Sequence, residues 1–271
     1  MGARVITVTS GKGGVGKTTA TANLAVALAL LDKKVVCIDA DIGLRNLDVV
    51  MGLENRIVYD LVDVVEGRCK LRQAMVKDKR VPDLYLLPAA QTRDKTAVSP
   101  QDMVALTNQL RPDYDYILID SPAGIEWGFR NALAPADEVV VVTNPEVSAV
   151  RDADRIVGLI EAEERKIPVS LVINRVKAAM VQRGDMLSVS DVMDILSIRL
   201  LGVIPEDENI LVSSNKGSPL TLNNQTVMAG EAFRNIARRL TGEKVPLLKL
   251  EQKGGLLKRL SRLFGSSDST A

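Results

Sequence analysis

The chain has 271 residues, enough for one sizeable core and a tail. Its 35 basic and 34 acidic residues nearly cancel, which argues against a surface built to coat nucleic acid, although a local basic patch stays open. There is no histidine and there are two widely separated cysteines, so histidine-based triads, histidine zinc sites and a disulfide framework are excluded, and a reducing, cytoplasmic setting is expected.

The first element is "RVITVTS", Arg4 to Ser10, β-branched and apolar as a buried strand should be. No secretory leader is expected ahead of it, and no apolar run is long enough to span a bilayer. "MGARVI" opens like a myristoylation site, but Ile6 stands where Ser or Thr is wanted. Next comes "GKGGVGKTT", with Gly11, Gly13, Gly14, Val15, Gly16, Lys17, Thr18 and Thr19, which fits G-x-x-x-x-G-K-[ST] at every fixed position. "TTATANLAVALALL", Thr18 to Leu31, follows as a helix. Strand, glycine-rich turn and helix together define a phosphate-binding loop. Glycines let the backbone curl its N–H groups inward, and the helix N-terminus adds partial positive charge. Lys17 is expected to reach the β- and γ-phosphates of ATP, and the Thr18 hydroxyl to bind Mg²⁺. Lys12 is a second lysine that the pattern does not require.

"KVVCID" predicts a second strand, with Cys37 in the core; Cys69 lies among charged residues and is expected nearer the surface. Asp39 and Asp41 sit at this strand's end, and residues two apart on an extended chain share a face. Asp39 is the candidate for the Mg²⁺ water, and Asp41 the candidate to orient the attacking water. "LYLLP" and "YDYILID" predict further strands, the second ending at Asp120, the position of a Mg²⁺-holding Walker B aspartate. "SPAG", Ser121 to Gly124, is a small-residue loop suited to respond to a γ-phosphate. "EVVVVTN", "PVSLVIN" and "LLGVIP" complete the series. Apolar runs without alternation suit strands covered on both faces. The expected fold is therefore α/β, a doubly wound, mostly parallel sheet with helices on both faces, in a P-loop ATPase domain over residues 1–245.

Residues 246–255 read as a linker, 256–265 as a short helix and 266–271 as a disordered end. At about 100° per residue, Leu256, Leu257, Leu260, Leu263 and Phe264 fall on one side and Lys258, Arg259, Ser261 and Arg262 on the other. A short cationic amphipathic helix behind a linker reads as an interfacial anchor for anionic lipid. One copy binds marginally and two held together gain avidity.

A P-loop whose second residue is lysine resembles the deviant Walker A loop of the ParA/MinD superfamily of ATPases. "DADIGLRNLDVVMG", "DSPAGIE", "TNPEVSAVRDADR", "RGDMLS" and "GVIPED" resemble its septum-positioning branch, and the likeness runs from about residue 3 into the tail. The resemblance implies that Lys12 acts in trans, reaching the phosphates of a partner subunit in an ATP-dependent homodimer. It implies that Glu146 contacts the partner's nucleotide, that Asn174, Arg175, Pro205, Glu206 and Asp207 frame the adenine, and that Arg151, Asp152 and Asp154 belong to a partner-binding surface. It further implies a Mg²⁺-dependent ATPase that recruits a division inhibitor, MinC, is stimulated by an activator, MinE, and binds the inner face of the cell membrane in its ATP state. Three other readings share parts of this pattern. A ParA-like DNA-binding partition ATPase needs a basic face. An iron–sulfur component of the superfamily needs cysteines after the Walker B region, where this chain has none. A nucleotide-dependent scaffold would show no turnover.

Overall fold

The computed structural model describes residues 2–223 and 227–248. Eight strands form one sheet among them: β1 (Arg4–Thr9), β2 (Val35–Asp39), β3 (Val76–Lys77), β4 (Leu84–Leu87), β5 (Tyr116–Asp120), β6 (Glu138–Thr143), β7 (Val169–Val176) and β8 (Arg199–Pro205). Their order is β3-β4-β2-β5-β1-β6-β7-β8. All neighbours are parallel except β3 and β4. The seven parallel strands are those expected from their apolar runs. The antiparallel β3 was not expected, because two residues, one of them an exposed lysine, carry no periodic signal.

Period-two alternation builds both layers at once. Ile6, Val8, Val35, Cys37, Leu118, Val140 and Val142 point to one face, where they pack with helices Lys17–Ala29 and Met228–Leu240. Val5, Val36, Ile38, Ile117 and Ile119 point to the other, beneath helix Pro100–Leu110. Val139, Val141, Leu171 and Ile173 extend that second face beneath helices Val147–Glu161 and Val189–Leu196. A strand buried on both sides has no polar alternation, which is why these runs read as continuous apolar sequence.

Helix Lys17–Ala29 is buried on nearly all sides. Its alanines let it lie between the sheet and helix Met228–Leu240 without displacing either. The buried Asn23 spans that packing: its amide donates to the Thr19 carbonyl, and its Oδ1 accepts the Thr221 N–H at 3.0 Å. The segment read as linker begins inside the domain. Arg239 donates to the carbonyls of Val245 and Pro246, and Leu248 packs against the core, so the chain stays docked through residue 248. The rest of the expected linker, the expected anchor helix with Leu256, Leu257, Lys258, Arg259, Leu260, Arg262, Leu263 and Phe264, and the expected disordered end lie outside the described residues. Among the described residues no helix is long and apolar enough to cross a membrane.

Candidate nucleotide and metal site

Parallel strands bring their carboxyl ends to one edge, and ligands bind there where successive connections diverge to opposite sides. β1 is flanked by β5 and β6, so the Gly-rich loop that follows it opens at that point. The loop's shape depends on two glycines above all. Gly16 has φ +98°, and a Cβ there would come within 2.4 Å of Asn174 Nδ2. Gly11 needs no positive φ, but a Cβ would meet the Asp152 carbonyl oxygen at 2.1 Å. Helix Val147–Glu161 is thus seated directly against the loop. Val15 is buried, Gly13 and Gly14 are exposed, and Thr18 and Thr19 are partly exposed at the start of the helix. Lys17 is buried at 9% exposure.

Two carboxylates end the neighbouring strands, and Lys17 acts on that of Asp120. Asp39 and Asp120 are direct register partners on β2 and β5, and both are buried. Asp120 Oδ1 accepts from the Thr21 hydroxyl at 3.2 Å, and the Thr18 side chain at the start of the same helix also lowers its pKa. Asp39 accepts the N–H of Asp41 at 3.0 Å and that of Leu47 at 3.1 Å. Burial is the main cause that raises the pKa of both, to about 8 at Asp39 and about 6 at Asp120; the Asp120 and Asp41 charges add to the rise at Asp39, where the two N–H bonds oppose it, and Lys17 opposes the rise at Asp120. A buried carboxylate pair of this kind is stabilised by bringing in positive charge. Asp41 lies past the end of β2 and is half-buried; burial raises its pKa, and Lys17 and Lys95 oppose the rise. The shared face expected of Asp39 and Asp41 therefore does not arise from a continuous strand. The turn after Asp39 sets where Asp41 stands, and that turn is held by Asp39's own hydrogen bonds.

The residues fit Mg²⁺ with a phosphate ligand. Mg²⁺ takes one or two carboxylates, with phosphate oxygens and waters completing its shell. Thr18, Asp39 and Asp120 supply a hydroxyl and two carboxylates around Lys17, and among the described residues no larger acidic cluster suits a fully protein-bound metal. An adenine fits as well. A cavity of about 280 Å³ is bounded by Gly16, Thr19, Asn174, Arg175, Glu206 and Asp207. Asn174 is held by donating to the Val15 carbonyl at 2.8 Å, while its buried Oδ1 has no partner and is free to accept from a ligand. Arg175 has φ +56° at an irregularity between β7 and β8, which turns it outward. Pro205 ends β8 and Glu206 is exposed. Asp207 caps helix Glu208–Asn215 through the Asn209 N–H.

Lys12 is directed away from the loop. Its ammonium lies 3.1 Å from Ser148 Oγ and 3.8 Å from Glu146, with both charged side chains about half exposed. Glu146, Arg175 and Glu206 border one broad groove of about 730 Å³. Arg151 and Asp154 are exposed on the next turn of the helix that holds Ser148, and Asp152 is partly buried behind Gly11. Sequence reasoning missed Ser148, Thr21 and Lys95. Ser and Thr in a helix have no local pattern that announces a partner 99 or 136 residues away.

A strand-linked P-loop over two buried carboxylates defines a P-loop ATPase. Residues 3–173 match the family model described as an AAA domain. The chain is 55% identical over 262 residues to the septum site-determining protein MinD of Bacillus subtilis (strain 168), covering 96% of this chain and 97% of that one. Among solved structures it is similar to the MinC:MinD cell division protein complex of Aquifex aeolicus, with TM-score 0.83 and 51% identity over 91% of this chain and 99% of that chain. It is also similar to the septum site-determining protein MinD complexed with Mg-ADP from Pyrococcus horikoshii OT3, with TM-score 0.79 and 30% identity over 88% and 96% of the two chains. The chain belongs to the MinD family of septum site-determining ATPases.

Proposed function

We propose that this ATPase is a nucleotide-switched homodimer that recruits a MinC-like division inhibitor to anionic membrane and is reset by a MinE-like activator. The observation that carries the proposal is the outward reach of Lys12 and Glu146, paired beside an intact P-loop site rather than folded into it. Lys17 and the loop N–H groups bind the β- and γ-phosphates in cis, and Asn174, Arg175, Pro205, Glu206 and Asp207 frame the base. Thr18 and Asp120 would hold Mg²⁺, with Asp39 on one of its waters, and the ion would supply charge neutralisation across the phosphate oxygens. Asp41 orients the water that attacks the terminal phosphorus. As that bond forms, the bond to the bridging oxygen breaks, a proton of the water passes to a phosphate oxygen, and ADP and inorganic phosphate are the products. Lys12 of each subunit exchanges Glu146 and Ser148 for the phosphates across the interface, and Glu146 turns to the partner's nucleotide. Hydrolysis is thereby conditional on dimerisation. The Aquifex complex of a relative with MinC supports an inhibitor partner, with Arg151, Asp152 and Asp154 on the surface offered to it.

The tail completes the switch. Five large apolar side chains are worth roughly 1.5–3 kcal/mol each if fully buried, but ordering the backbone costs about 1–2 kcal/mol per residue. Lys258, Arg259 and Arg262 add roughly 1 kcal/mol each near anionic lipid. One tail therefore binds weakly, and the second tail of a dimer binds at an effective concentration near millimolar. Co-sedimentation with anionic vesicles is expected to rise sharply in ATP over ADP. Leu260→Glu abolishes pelleting while leaving ATP-dependent dimerisation intact. Equal pelleting in both nucleotides, or normal pelleting of Leu260→Glu, would remove the dimerisation-gated anchor.

A further inference from the structure

We propose that Lys95 is a positioning residue for hydrolysis, acting through Asp41. The inference rests on Asp41 being the water-orienting residue of the reading above. Asp41 and Lys95 line the same cavity of about 200 Å³, together with Pro122, Ala123, Glu126 and Trp127. Lys17 and Lys95 are the cations that act on the Asp41 carboxylate. On the reading above Lys17 is taken up by the phosphates, so Lys95 is the cation that remains beside Asp41 once a nucleotide is bound.

Lys95 is exposed, and an exposed lysine on a loose loop would contribute little through solvent. Its loop is not loose. Asp94 caps the turn that carries it, accepting the Thr96 N–H at 2.8 Å and the Thr96 hydroxyl at 2.6 Å. Upstream, the Ala90 carbonyl accepts the Gly43 N–H at 2.8 Å, two residues beyond Asp41. Downstream, the Val98 carbonyl accepts from both Trp127 Nε1 at 3.0 Å and Asn131 Nδ2 at 2.7 Å. The loop is thus pinned to the segments that follow β2 and β5, the two strands that end in Asp39 and Asp120. Any shift of those segments on phosphate binding moves Lys95 with them, and keeps its charge in register with Asp41. Glu126 lines the same cavity and is the competing carboxylate that would draw Lys95 away if the register were lost.

The test is steady-state ATP hydrolysis, with anionic vesicles, by the native full-length chain, Lys95→Ala, Lys95→Arg, Asp41→Ala and the double variant Asp41→Ala/Lys95→Ala. Mispositioning near reacting atoms costs up to about a hundredfold, so Lys95→Ala is expected to lower kcat by about ten- to a hundredfold with KM for ATP within threefold of native. Lys95→Arg, which keeps the charge, restores most of kcat. In the Asp41→Ala background the loss of Lys95 costs no more than about twofold, because neighbouring residues acting as a unit are non-additive. Native kcat in Lys95→Ala would overturn the inference, and so would full additivity in the double variant. Failure of the native chain to hydrolyse ATP, or native turnover in Asp41→Ala, would instead overturn the reading on which it rests.

Discussion

Lys12→Ala is expected to bind Mg·ADP within a few-fold of the native chain and yet lose about a thousandfold or more of its stimulated ATP hydrolysis. The two halves of this expectation come from different parts of the structure. On the proposed reading nucleotide affinity rests on Lys17, the loop N–H groups and the helix behind them, whereas the Lys12 ammonium contacts Ser148 and Glu146. The contacts that are lost, with Ser148 and Glu146, are surface contacts of half-exposed groups, so folding stability should change little. Hydrolysis is different. A cation supplied from a second subunit to transferring phosphoryl oxygens is worth about 10³–10⁵ in rate, by analogy with arginine fingers. The same loss should appear in assembly. In an Asp41→Ala background that holds ATP, light scattering should find a dimer with Lys12 present and a monomer without it. A Lys12→Ala chain that dimerises on ATP and turns over within threefold of native would remove the trans role. Lys17→Ala is the internal contrast, because it should lose nucleotide binding itself.

The parts of this site that were legible in the sequence are those fixed by local geometry. A loop spelled G-x-x-x-x-G-K-T between an apolar strand and an alanine-rich helix leaves the backbone few alternatives, and Gly16 adopts the left-handed conformation the turn requires. Asp39 and Asp120 were legible because each ends an apolar run, and a parallel sheet brings all such ends to one edge. What the sequence could not carry is which side chain reaches which across the fold. The pairing of Lys12 with Ser148 depends on the seating of helix Val147–Glu161 against Gly11. The exact position of Asp41 depends on Asp39 using its carboxylate to hold the following turn. The Lys95 loop depends on Val98 accepting two donors from a helix that begins 29 residues later. β3 was invisible because two residues form too short a segment for any period to show. The docking of residues 246–248 on the domain was not legible, because the Arg239 that anchors them lies in the preceding helix.

Asp120→Asn should invert the order of stability between the free and the nucleotide-bound protein. Free of nucleotide, burial raises the pKa of Asp39 and Asp120 above the ordinary carboxylate range, with the mutual repulsion adding to it at Asp39. The sign follows from proton counting. A carboxylate with a raised folded pKa binds more protons when folded than when unfolded, between its unfolded and folded pKa values. Stability therefore falls as pH rises through that window, and the full penalty is felt above it. The free native chain is accordingly expected to lose melting temperature as pH climbs from about 4 toward 8. Asp120→Asn removes one of the two charges and keeps a carbonyl oxygen that can accept the Thr21 hydroxyl. Each kcal/mol of relief raises Tm by about 2–4 °C in a domain of this size, so the free variant should melt a few degrees above native at pH 8 and show a shallower pH slope. With Mg·ADP the balance reverses. The native chain gains about 2.7 kcal/mol at a hundredfold excess over Kd, whereas disruption of a metal site that weakens affinity by about ten- to a hundredfold removes about half or more of that gain. Differential scanning fluorimetry of both chains, at pH 5 and pH 8, free and with Mg·ADP, measures all four quantities. If free Asp120→Asn melts below native at pH 8, the carboxylate pair is not under electrostatic strain. If Mg·ADP raises both chains equally, Asp120 does not hold the ion.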